Sequence, residues 1–113
     1  MNGCGRECPP GIRRLVGHAD VRAQYSSDDR FVGTAPAGTF PRGDNEVGVH
    51  DLAGNVAEFV MPVGTAESAG DLTMGGGFLT QDIKMMSARL HTRTAWAGAA
   101  SPDLGFRCVA AAR

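Results

Sequence analysis

Glycine interrupts this chain too often for any long regular element: 16 of its 113 residues are Gly, while aromatic side chains make up only 6%. Each glycine weakens a helix and opens left-handed backbone to the chain, so the sequence predicts short strands joined by irregular loops. At this length it makes one domain at most. Lys and Arg total 11 against 12 Asp and Glu, a balance that offers no field for gathering nucleic acid or anionic lipid. No apolar run approaches the ~18 residues of a membrane span, and the N-terminus lacks a secretory pattern. The chain reads as soluble, with its compartment unspecified.

The first residues carry Gly3, Gly5, Pro9, Pro10 and Gly11, which predicts an irregular segment over residues 1–17. Three cysteines, Cys4, Cys8 and Cys108, leave at least one unpaired within the chain. Cys4-x-x-x-Cys8 has half of a zinc spacing, but no second ligand pair accompanies it. In an exported protein the expectation is a disulfide from Cys108 to Cys4 or Cys8; in a cytosolic one it is free thiols.

The densest chemistry lies in His50-Asp51-Leu52-Ala53-Gly54-Asn55-Val56-Ala57-Glu58-Phe59. Two carboxylates, an amide and a glycine stand within eight residues, between short apolar flanks. A loop of this kind can wrap a hard cation, because calcium takes carboxylate and carbonyl oxygens alike. The spacing is not that of an EF-hand, and a surface turn with solvated acids is the competing reading.

Gly48 to Phe59 resembles the "G-L-Y-D-M-x-G-N-V-W-E-W" signature of the formylglycine-generating-enzyme family, also called sulfatase-modifying factor domains. Met74-Gly75-Gly76-Gly77-Phe78 resembles its "R-G-G-S-W/F", and Ser101 to Cys108 its closing "S-x-x-L/I-G-F-R-C". The resemblance covers about residues 18 to 110, the C-terminal half of a typical member, and suggests a fragment or a shortened variant. It implies an α+β fold of C-type-lectin-like topology, loop-rich and poor in regular structure, with residues 18–113 as the domain.

It also implies two calcium sites. Carried over by position, the first would use the side chains of Asp20 and Asp29 and the carbonyls of Val21 and Phe31. The second would use the side chains of Asp51 and Glu58 and the carbonyls of Gly54 and Val56, and there the match holds at every step. Losing Asp51 or Glu58 would then destabilise the fold as well as the site.

Further along, Val32 to Phe40 reads as a short strand entry and Pro41 to Glu46 as a hydrophilic turn. Leu72 to Phe78 reads as a strand running into three glycines, which lack the Lys-Ser/Thr of a phosphate loop. Ile83 to Leu90 fits helix or strand by pattern, and the family favours strand. Gly105 to Val109 reads as a last strand, with Phe106 and Val109 apolar and Arg107 set for an ion pair.

The family's enzymes use two copper-binding cysteines, and soft thiolates suit Cu(I). Counted from the glycine pair, those positions are Thr80 and Met85, and neither supplies a thiolate. Gly77 stands for the family's Ser and Ala57 for a Trp, so the sequence predicts no formylglycine generation and no copper. His18, His50 and His91 form no local motif. Arg89 and Arg93 match basic positions near the substrate groove and, with the lone Trp96, are candidates for holding an acidic ligand; ion pairs and inward packing are the competing readings.

The function so implied is a calcium-stabilised, non-catalytic binding or accessory module, its ligand an unidentified protein or small molecule. Part of an oxidoreductase whose catalytic metal lies outside this chain is the alternative. A half-domain completed by a missing N-terminal half or a second copy is the third.

Overall fold

The computed structural model describes residues 2–16, 21–61, 72–89, 91–93 and 100–110; of residues 15, 16 and 91–93 it describes the backbone alone. Among these residues the fold is α+β. One helix, α1 (Cys8–Val16), precedes four short strands: β1 (Ala57–Phe59), β2 (Leu72–Met74), β3 (His91–Arg93) and β4 (Leu104–Gly105). They form one mixed sheet in the order β3-β2-β1-β4. The first three make an antiparallel meander, with Glu58 opposite Met74 and Thr73 opposite Thr92. β4 then lies parallel to β1, pairing Ala57 with Leu104 and Glu58 with Gly105. No helix of the described residues is long and apolar enough to cross a membrane.

The N-terminal segment differs from expectation. Residues 8–16 are helical, because Pro9 and Pro10 fall in the first turn, where a missing N–H leaves no helical bond unmade. Cys4 and Cys8 form a disulfide, and Cys108 is free and exposed; neither the pairing through Cys108 nor the zinc reading holds here. Both bonded cysteines are 0% exposed and form the core with Ile12 and Phe78, against which Val21, Val32 and Leu79 pack.

Three other elements are corrected. Residues 32–40 form no strand: Pro36 opens a turn in which its carbonyl accepts the Thr39 N–H. Phe31 anchors the turn before it, meeting Phe40 edge to face at 6.1 Å. Ile83–Met85 is a 3₁₀ turn, started by Asp82, whose side chain accepts the Lys84 N–H at 2.9 Å. Only from His91 does the chain become a strand. At the other end, β4 stops at Gly105, and Phe106 and Val109 are 76% and 93% exposed. β2 does run into the glycines: Gly75 (φ 87°) ends it, and a side chain there would meet the Leu52 carbonyl at 2.8 Å.

Candidate functional site

The loop 50–58 is built by left-handed backbone. Asp51, Gly54 and Asn55 have φ of 55°, 88° and 67°, values that glycine and asparagine adopt most readily. Asn55 locks the turn: its Nδ2 donates to the Ala35 carbonyl at 3.1 Å, and its Oδ1 accepts the Ala35 N–H at 2.9 Å and the Asn2 Nδ2–H at 3.1 Å. Its own N–H donates to the Asn2 carbonyl, and its carbonyl accepts the Phe78 N–H. The Gly54 N–H donates to Gly75 O at 2.8 Å. The loop is thus tied to the N-terminal segment and to the glycine run at once.

Of the second predicted cation set, Asp51 and Glu58 face different partners. Asp51 Oδ2 accepts the Gly38 N–H at 2.9 Å. Glu58, half-buried on β1, meets Arg107 in a two-pronged pair, Nε to Oε2 at 2.5 Å and Nη2 to Oε1 at 2.6 Å. Arg107 Nη1 also donates to the His50 carbonyl at 3.0 Å, and Nη2 reaches the Asp51 carbonyl at 3.5 Å. Glu58's hydrogen bonds push the guanidinium's pKa further up. The expectation of a half-buried ion pair for Arg107 is met: its side chain is 34% exposed and that of Glu58 19%. Gly54 and Val56 stand in the turn leading to β1; with Glu58's two oxygens already taken, the set does not fit calcium.

The first set is different. Asp20 lies outside the described residues. Asp29 Oδ2 accepts the Tyr25 hydroxyl at 2.8 Å and faces the Gly3 N–H at 3.4 Å, while Oδ1 accepts the Phe31 N–H at 3.0 Å. Beside it lies Glu7, which the sequence did not single out. Both Glu7 carboxylate oxygens are buried, and neither has a hydrogen-bond partner among the described residues. Burial first, then neighbouring Asp29 and Asp28, raise the Glu7 pKa above its usual 4.5. Burial, and then the bond to Asp29, likewise push the Tyr25 hydroxyl up. Two carboxylates buried side by side are surplus negative charge that a hard cation would balance, but Asp29's two oxygens, like those of Glu58, already accept hydrogen bonds, so charge alone and no open set of oxygens speaks for a cation here. Among the described residues no three His, Cys, Asp or Glu side chains converge as a metal cluster.

The glycine run fixes the positions of Thr80 and Met85. A Cβ on Gly76 would lie 3.1 Å from both Thr80 Oγ1 and the Met85 carbonyl, and Thr80 Oγ1 accepts the Gly77 N–H at 2.9 Å. A side chain on Gly77 would meet the Asp103 carbonyl at 2.6 Å.

His50 sits apart from any catalytic grouping, its Nδ1 2.8 Å from Asp44 Oδ2. Arg89 is exposed, with its N–H on Ser87 Oγ at 3.2 Å. Arg93 ends β3, paired through its backbone with Leu72. His18 and Trp96 lie outside the described residues. Asn55 was legible in the sequence as the amide of this loop, though not as its lock; Glu7 carried no local signal.

The family model described as "Sulfatase-modifying factor enzyme 1-like domain" matches residues 13–112. No curated protein and no solved structure matches the chain.

Proposed function

We propose that this chain, which belongs to the sulfatase-modifying factor enzyme 1-like family, is a non-catalytic member: a binding or accessory module on the C-type-lectin-like scaffold that its resemblance implies. One observation carries the reading. Thr80 and Met85, the residues at the family's copper-binding positions, flank Gly76 through the Thr80 hydroxyl and the Met85 backbone carbonyl, and their side chains are a hydroxyl and a thioether where copper oxidation needs thiolates. Gly77 supports it, since the family's serine there would collide with the Asp103 backbone.

On this reading copper is absent and calcium is the structural ion, held in the first acidic loop by Asp20, Asp29 and the carbonyls of Val21 and Phe31. Its role is to neutralise Asp29 and Glu7, whose burial side by side is otherwise uncompensated. Recognition is assigned to Arg89, just before β3, and Arg93, its last residue, together with Trp96. Guanidinium groups select a carboxylate-bearing partner, protein or small molecule.

The test is incubation of the purified chain with copper, oxygen and a cysteine-containing sulfatase-motif peptide, read by mass spectrometry. The expected result is unmodified cysteine. Conversion to formylglycine would overturn the non-catalytic reading.

A further inference from the structure

We infer that Arg107 is the resident cation of the loop 50–58, closing it from within the chain in place of a metal ion. Three guanidinium nitrogens face four oxygens: both of Glu58 and the carbonyls of His50 and Asp51. These acceptors converge because Asp51 and Asn55 hold left-handed backbone, which turns the loop around Arg107. The guanidinium arrives there by register. Gly105 of β4 lies opposite Glu58 of β1, and Arg107, two residues beyond the end of the strand, is thereby delivered within reach of Glu58.

A divalent ion and this guanidinium are alternatives. Calcium at Glu58 needs an oxygen already committed to Arg107, and two cations a few ångströms apart on one carboxylate repel. Arg107 also has the advantage of tethering. Its local concentration is set by the sheet, whereas free calcium must be gathered and partly dehydrated. The loop that matches the family's calcium signature most fully is therefore the one that holds no calcium here, and it keeps its shape when calcium is withdrawn.

The test uses the full chain, with calcium stoichiometry by calorimetry and melting temperature in calcium and in chelator, for wild type, Glu58→Gln, Arg107→Gln and Arg107→Lys. Wild type and Glu58→Gln are expected to bind the same number of calcium ions. Arg107→Gln should melt lower in chelator by about 5 °C or more and should bind one ion more than wild type, because its oxygens are freed. Arg107→Lys, which keeps the charge with fewer donors, should melt between the two and gain no ion; it serves if the Gln variant does not fold. A wild type that loses one calcium ion on Glu58→Gln, or an Arg107→Gln protein as stable as wild type, would overturn the inference. Calcium in the first loop is read separately, through Asp29→Asn.

Discussion

Arg107 and Glu58, 49 positions apart in sequence, meet through two parallel hydrogen bonds of 2.5 and 2.6 Å. Their exposures of about a third and a fifth place them between a surface pair, worth ~0–1 kcal/mol, and a fully buried one, whose breaking costs ~3–5 kcal/mol. In urea unfolding, the double-mutant cycle of Arg107→Gln and Glu58→Gln should show a coupling of about 1–2 kcal/mol. Additive effects would mean that the pair contributes nothing as a pair.

Asn55 joins three segments with a single side chain. Asn55→Ala removes three hydrogen bonds at about 1 kcal/mol each and leaves a β-carbon in left-handed backbone. A loss of about 3 kcal/mol in denaturant unfolding is expected. Asn55→Gly should recover part of that through φ alone, and a Gly variant no better than Ala would rule out the backbone contribution.

Glu7 gives the chain an inverted acid response. Its folded pKa is raised above 4.5, so the folded state takes up this proton before the unfolded state does. Its contribution to stability is fully present below 4.5 and is lost as pH rises through the folded value. Without calcium, Glu7→Gln should therefore be more stable than wild type at pH 7, and the difference should shrink toward pH 4.5. Unfolding curves of the two proteins across that range in chelator measure it directly; a difference constant with pH would contradict the assignment.

The Cys4–Cys8 disulfide closes a ring only four positions wide, so the chain-entropy estimate gives it about 2 kcal/mol. Reduction should lower the melting temperature accordingly, and slowly, because both sulfurs are buried. Cys108 is exposed, and a maleimide should label one thiol per folded chain at once. Two further labels appearing without denaturant would show the disulfide to be open.

Which parts of this arrangement the sequence discloses follows from the range of the interactions. The loop 50–58 and the stop after β2 are legible because glycine and asparagine mark left-handed positions by residue type. Asp82, the cap that turns Ile83–Met85 into a 3₁₀ turn, was hidden by an apolar pattern that fits helix or strand. The helix at Cys8–Val16 was masked by prolines whose effect reverses with position in the first turn. Glu7 beside Asp29, and Arg107 on Glu58, depend on contacts between distant segments, which no local pattern records. Arg107 was identified as one half of an ion pair; its other half belongs to the very loop assigned to calcium.

The place of β4 in the sheet has a consequence for folding. β1, β2 and β3 can assemble as neighbours along the chain, but β4 must return from residue 104 to the far side of residue 57, closing the longest loop in the sheet. Such closures come late, since their entropy is lost before contacts repay it. Until β4 docks, Glu58 has no guanidinium, and the loop around it is an open set of oxygens. The same segment is therefore a different object during folding than after it: a free chelating turn first, and a sealed one only once the last strand is home.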